Sequence, residues 1–516
     1  MKTMYLLKTI VPFIFSLFCA LSGYSQRIIY SEPGKDDTRR MNFEIAGKVG
    51  GNFLIYKNIR NINRIAVYDN DMNEIASEEQ DYLPDNDRLI NVDLFAYTDF
   101  CYVVYQYQKK NIVYCMGVKV DGMGKKISDL MQLDTTQISF ATNNKIYTAI
   151  TSEDKSKIAI FKINSKNRKL YTITTLLFNT RLELQRKDRM TLKMEERYDH
   201  LGEFYLDNEG DLVFTKVHRE YNDNISEATV VVKYTTVDSL TNYSIPVDKV
   251  FLDDIQVKVD NYNKRYLFTS FFYTQKRSNI DGLYFFVWDK PARKQVLENK
   301  IEFSEELRHE ANKNSNWRTA FNDYFVRNIV IRKDGGFIVG TECYYTTSRY
   351  NSWNRYDYLY RSPWNSYPLD YYFINSPYYG SYWSRSMWGN NNTQTVRYQA
   401  ENIVVFSFDK NGKLEWNNVI SKDQFNDESD HLVSYQMLNT GGQLHFIFNV
   451  QEKRVLLLND FSVTGDGSVG RNPTLKNLDK GYEFMARYGK QVSTKQAIIP
   501  CFARNNFICF AKIEFN

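Results

Sequence analysis

NIVVFSFDKNGKLEWNNVI, residues 402–420, decides the fold. The run IVVFSF is apolar on both alternating faces, whereas a strand with one face in water alternates more strictly. Asp409-Lys-Asn-Gly412 then turns the chain into a return strand, the signature of a hairpin. The same design recurs at NRIAVYDNDMNEIAS (63–77), VYCMGVKVDGMGKKIS (113–128) and IAIFKINSKNRKLYTI (158–173). A second pattern, strand, tight polar turn, strand, occurs at GEFYLDNEGDLVFTKV (202–217), VRNIVIRKDGGFIVGTE (326–342) and SYQMLNTGGQLHFIFN (434–449).

The two patterns alternate, so one unit holds about four strands. Units begin near residues 41, 89, 137, 200, 262, 326 and 434, with a last partial unit from about 482. A four-stranded unit repeating every 45–60 residues or so is what a β-propeller requires. One such sheet cannot hide two apolar faces. Stacking it between neighbours hides both, and closing the ring removes the exposed ends. The expectation is an all-β chain, a β-propeller of seven or eight four-stranded blades. RIIYSE (27–32) completes the last blade beside FICFAKIEF (507–515). A transmembrane barrel would need longer strands with one lipid-compatible face, but Lys, Asp and Arg interrupt both faces around Val257–Phe268. Separate β-sandwiches would call for a Pro/Gly/Ser-rich linker, and none stands out. The best helix signal is Ser304–Ala311, with Ser304 as cap and acids in the first turn. Leu182–Met194 is a weaker second.

The N-terminus pairs Lys2 and Lys8 with an apolar run, Ile10–Leu21, and with the small residues Gly23 and Ser25. It reads as a signal peptide, residues 1–25, cut after Ser25, followed by one propeller domain over 26–516. No later stretch is apolar for long enough to be a transmembrane helix. The formal charge is +5, or +3 without Lys2 and Lys8, and it is scattered. No basic tract suggests nucleic acid.

Five cysteines follow the leader: Cys101, Cys115, Cys343, Cys501 and Cys509. Cys501 and Cys509 flank the turn Arg504-Asn505-Asn506. A three-residue loop would set them opposite one another and permit a bridge. A two-residue Asn-Asn turn would put them on opposite faces.

One segment departs from the repeat. Between strands at 337–347 and 402–408 lies SRYNSWNRYDYLYRSPWNSYPLDYYFINSPYYGSYWSRSMWGNNN, residues 348–392, in which 15 of 45 residues are aromatic. Long loops without secondary structure of their own are usually functional or disordered, and disordered segments are poor in aromatics. Tyr, Trp, Ser, Asn, Gly and Arg are the residues that antibody loops favour: rigid rings give area at small entropic cost, and short polar groups give adaptable hydrogen bonds. The candidate partner-binding residues are Trp353, Trp364, Tyr367, Tyr378, Tyr379, Trp383, Trp388, Arg355, Arg361 and Arg385. Their rings suit sugar faces or apolar side chains, and the arginines suit carboxylates. The competing structural reading is a lid or plug folded back over the propeller face.

The search for chemistry is negative. There is no Gly-x-Ser-x-Gly, His-Glu-x-x-His, phosphate loop or Cys-x-x-Cys. The histidines, His200, His218, His309, His431 and His445, lack metal spacing. Asp69-Asn-Asp-Met-Asn73 starts like a calcium loop but has Glu74 where the sharp turn needs Gly. Asp253-Asp254 is an acid pair whose members point to opposite faces if the segment is extended. No catalytic residue, metal or cofactor is assigned.

Two resemblances add to this. Ser407–Trp416 looks like the Asp-box hairpin of sialidase-type propellers, which is structural there. The runs 401–449 and 497–515 look like a group of uncharacterised secreted propeller-like proteins of Gram-negative bacteria. This second resemblance implies a fold and no site. The function expected is a non-enzymatic binding or scaffold protein of the cell envelope, in the periplasm or on the outer surface. Its partner is an envelope protein or glycan touching the aromatic insertion and blade loops. The alternative is a glycan-binding or glycan-cleaving propeller.

Overall fold

The computed structural model describes residues 26–34, 41–60, 62–84, 89–138, 145–167, 169–194, 198–220, 223–247, 249–311, 321–348, 353–360, 396–427, 429–452, 455–472, 481–503 and 507–515. The leader read at 1–25 and most of the aromatic insertion fall outside them.

Among the described residues the strands form eight antiparallel sheets, each a four-stranded blade of a β-propeller. Blade one is Met41–Val49, Asn52–Ile59, Ile62–Tyr68 and Glu74–Glu79. Blades two to seven span 89–137, 148–193, 199–245, 251–302, 324–426 and 435–471. Blade eight takes its inner strands from 483–514 and its outermost strand, Arg27–Tyr30, from the other end of the sequence. That strand pairs Arg27 with Glu514 and Tyr30 with Ala511, as the sequence leads one to expect.

Burial explains the order of strands within a blade. Fourth strands such as Glu74–Glu79 and Lys294–Glu302 expose alternate side chains at the rim, several of them charged. First strands of neighbouring blades touch one another around the axis. The middle strands are buried on both faces; Arg265–Tyr273 has eight consecutive buried residues after Arg265. Eight apolar layers fill the gaps, each shared by two adjacent blades. Between blades five and six, for example, Phe271, Leu283 and Phe285 meet Phe337, Val339, Phe406 and Phe408. Each such side chain contributes about 1.5–3 kcal/mol by leaving water.

One turn recurs at the lower face. Asp121 Oδ1 accepts from the N–H groups of Met123 and Lys125 (both 2.9 Å), and Asp207 Oδ1 from those of Glu209 and Asp211 (both 2.9 Å). Asp409 does the same for Asn411 and Lys413 (2.9 and 2.8 Å). So does Asp69, for Asp71 and Asn73 (2.9 and 2.8 Å). The Asp69 carboxylate therefore serves its own hairpin, the role that Asp and Asn play in such turns. The Asp-box look-alike is likewise a blade turn.

The sequence reading needs three corrections. The third unit begins at Thr148 and the fifth at Phe251, where 137 and 262 were expected. Their first strands are the short Thr148–Thr151 and a strand broken into Phe251–Leu252 and Gln256–Asp260, so neither stands out as an apolar run. The stretch 158–173 then forms the second and third strands of its blade, not the third and fourth. Leu182–Met194 is no helix: Leu184–Lys193 is a rim strand whose charges alternate outward. The helix Glu305–Ala311 is present, with the Leu307 N–H donating to Ser304 Oγ (3.2 Å).

The fourth residue of the Asp409 turn tests the packing between blades. Gly412 has φ +72°, and a Cβ there would strike the Phe285 ring of blade five. Gly441 has φ +91° with open space around it. Gly441→Ala should cost about 1–2 kcal/mol from the left-handed backbone alone. Gly412→Ala should cost about 1–3 kcal/mol more from overpacking. Denaturant midpoints of the two variants check this; equal costs would mean that the turn does not bear on the neighbouring blade.

Candidate functional site

The site is the upper face where blades four, five and six meet, the face that carries the connections between blades and the loops between second and third strands. In blade six those two strands are unusually long, Phe337–Ser348 and Val396–Phe408, and stand above the ring as the stem of the aromatic insertion. The insertion's root, Trp353–Tyr360, folds down from this stem and ends in the short helix Arg355–Tyr360.

Polar contacts hold the root, among them Arg355 Nη1 donating to the Asn322 carbonyl (3.4 Å). Arg355 Nε donates to Asp253 Oδ2 (2.8 Å), and its Nη2 reaches the same oxygen. The Trp353 indole N–H donates to Asp323 (2.6 Å), and the Tyr356 hydroxyl donates to Asn224 (3.1 Å). These acceptors lie on blades five, six and four, so the root bridges all three. The Arg355 guanidinium sits 4.0 Å from the Phe325 ring centroid and 5.6 Å from that of Phe271, so its unbonded faces are covered by π-systems. Beneath, Leu359 joins Phe325, Tyr344, Ala400 and Val433 in a ninth apolar cluster.

The Asp253–Arg355 pair is nearly out of water, with side chains 1% and 8% exposed. Burial opposes the arginine's charge, but the Asp253 carboxylate beside it more than compensates and holds the guanidinium protonated. Burial pushes the Asp323 carboxyl up, against the Trp353 hydrogen bond. Asp253 Oδ1 is buried with no hydrogen-bond partner among the described residues and borders a cavity of about 10 Å³, lined by Asp254, Gln256, Phe271, Val326 and Leu359 among others. That is the space one water molecule needs.

The first strands surround the ring axis, and their alternate half-buried side chains, such as Asn42 and Glu44, line the channel along it. Asp254 sits in the break of the blade-five strand and accepts from Gln256 Nε2 (2.6 Å). Burial, with Glu203 and Asp253 adding, pushes its carboxyl up to about 7. Across the ring, Glu44 of blade one is also pushed up to about 7, by burial and against the pull of Lys490. Lys145 pairs with Asp93 (2.8 Å), and Lys490 Nζ is held by the Ile45 and Ala46 carbonyls (3.0 and 3.1 Å). Among the described residues no group of His, Cys, Asp and Glu is arranged to hold a metal ion, and no helix is long and apolar enough to cross a membrane.

Of the residues singled out from the sequence, Trp353 and Arg355 come together here and face the blades. Trp364, Tyr367, Tyr378, Tyr379, Trp383, Trp388, Arg361 and Arg385 lie outside the described residues. Asp253 and Asp254 do diverge, one to Arg355 and the other to the channel. Sequence reasoning missed the anchors Asp253, Asp323 and Asn224, and the channel acids Glu44 and Glu203. The break between Phe251–Leu252 and Gln256–Asp260, with two acids inside a strand-like run, was the available signal.

No family model and no curated protein matches the chain. Several solved structures align with it at low identity. A polysaccharide lyase of family PL25, an ulvan lyase, is 9% identical with a TM-score of 0.36, covering 82% of this chain and 92% of that one. An uncharacterized protein from Listeria monocytogenes EGD-e is 9% identical with a TM-score of 0.38, covering 82% and 94%. Prolyl oligopeptidase B from Galerina marginata is 8% identical with a TM-score of 0.40, covering 90% of this chain and 55% of that one. Similarity of this degree assigns no activity.

Arg355→Ala strands a buried carboxylate, which costs about 3–5 kcal/mol in comparable pairs. Proteolysis within 348–392 should therefore accelerate, and the double variant Arg355→Leu, Asp253→Leu should restore protection. The channel acids set a pH dependence. Their folded-state pKa values near 7 exceed unfolded values near 4. The fold then binds the proton more tightly, and its stability falls as pH rises from about 4 to about 7. Glu44→Gln and Asp254→Asn should match the native protein near pH 4 and exceed it at pH 8, by an amount on the order of 1–3 kcal/mol. Denaturation midpoints across that range check the sign.

Proposed function

We propose that the chain is an exported, non-enzymatic binding or scaffold protein of a Gram-negative cell envelope. Its partner meets the aromatic insertion and the neighbouring blade loops. A leader cleaved after Ser25 and a mature part forming one domain belong to the same proposal. The observation that carries it is the anchoring of the insertion by Arg355 on Asp253. A segment that merely filled space would be held as well by apolar residues, since a buried ion pair adds little net stability over an apolar replacement. What the pair adds is a fixed position. Together with the Trp353 and Tyr356 bonds it ties the root to blades five, six and four, so Tyr360 has a defined place on the upper face. A binding segment benefits from that preorganisation because less entropy is lost on association.

A second reading, a glycan-binding or glycan-cleaving propeller, is favoured by one feature. Burial, with Glu203 adding, pushes the Asp254 carboxyl up to about 7, and a carboxyl in that range can serve as a general acid.

The test replaces Trp364, Trp383 and Trp388 together by Ala, leaving Trp353 and Arg355 in place. Native and variant proteins are used to capture envelope proteins, with quantitative mass spectrometry, and are also titrated with envelope polysaccharides. Loss of a specific protein partner by tenfold or more is the expected result. Identical protein partners for both would overturn the first reading. Polysaccharide binding abolished in Asp254→Asn would move the assignment to the second.

A further inference from the structure

We propose that Cys501 and Cys509 form a disulfide that staples the closing blade. The register sets them directly opposite on the adjacent strands Gln496–Phe502 and Ile508–Glu514, and both side chains enter the layer between blades seven and eight. Phe502 pairs with Ile508, so the connection is the longer of the two that the sequence left open. Opposite residues on antiparallel strands have Cα atoms about 4.5–5.5 Å apart. That lies within the range a disulfide spans. The two Sγ atoms are 2.7 Å apart and fully buried. The remaining cysteines, Cys101, Cys115 and Cys343, are buried singly, the first two in the layers around blade two and the third between blades five and six.

The location gives the bond its consequence. Ile508–Glu514 is the strand to which Arg27–Tyr30 pairs, and Tyr30 packs in the same layer as both cysteines, stacked on Tyr482 at 4.7 Å between centroids. Fixing the hairpin in the unfolded chain removes part of its freedom and presets the edge that closes the ring. Burial raises the Cys501 thiol well above its usual range, so exchange belongs to the stage before the layer closes. One thiolate attacks a disulfide-bearing donor, the disulfide form of an oxidoreductase or glutathione disulfide, to give a mixed disulfide. The second thiolate displaces the donor. Two protons and two electrons leave the cysteine pair, and the donor departs as two thiols. Export, as proposed above, would supply the oxidising compartment; the geometry of the pair does not depend on it.

The experiment denatures the protein without reductant and alkylates its thiols. It does so for protein purified from cells and for mature chain refolded in a glutathione redox buffer. The expected result in both is three alkylated cysteines, Cys101, Cys115 and Cys343, and a linked pair of peptides carrying Cys501 and Cys509. A lower thermal midpoint on reduction, absent in the Cys501→Ser, Cys509→Ser variant, would support the staple. Five alkylated thiols in the refolded chain would overturn it. Cys501 and Cys509 both alkylated only in the cell-purified protein, and linked after refolding, would retain the disulfide and count against export instead.

Discussion

The fold rests on one constraint: each blade buries two apolar faces, and only another blade can cover them. A lone sheet rich in Phe, Ile and Val on both sides would present both to water. Eight layers, each shared by two blades, satisfy the constraint around a closed ring. The lower turns obey it too. The fourth residue of a turn leans on the preceding blade, and size is traded across the gap. Gly412 faces the Phe285 ring, and Gly467 faces Trp416, to whose ring an added Cβ would come within 2.8 Å. Where the preceding blade offers Gly117, the turn carries Leu182 at φ +57°. A leucine in that conformation is strained by roughly 1–2 kcal/mol. Its buried side chain fills the space that a glycine on both sides would leave empty.

Much of this was legible in the sequence because the signal is local. A polar turn between two-faced apolar strands marks a hairpin, and hairpins that alternate mark a blade. The closure of blade eight by Arg27–Tyr30 was legible for the same reason: an isolated short strand needs an edge, and Ile508–Glu514 lacked a fourth neighbour. The reading slipped where a strand is too short or too interrupted to carry periodicity, at Thr148–Thr151 and at the broken strand of blade five. It wavered at Leu184–Lys193, where a rim strand has so many charges that its alternation resembles the mixed surface of a helix.

The functional face was legible only by halves. Composition exposed the insertion, since fifteen aromatics in forty-five residues have no place in a blade loop of ordinary length. Its anchors were hidden because the contacts are far apart in sequence. Asp253 and Arg355 are separated by 102 residues, and Asn224 and Tyr356 by 132. No spacing rule connects such pairs; the ring brings them together by placing blades four, five and six side by side. The channel acids are similarly invisible, because their raised pKa values arise from burial that follows from closure.

The interlocked closure has a temporal side. Arg27–Tyr30 emerges among the first segments in chain order, and the strand it needs is among the last. Until Ile508–Glu514 exists, the earlier blades can stack only as an open arc, with one flank of blade one lacking the Phe510 and Ile498 that cover Phe43 and Ile55. Assembly is therefore committed at its final step rather than its first. An arc held open during synthesis would carry an adhesive flank that a holding chaperone, or a second arc, is equipped to recognise.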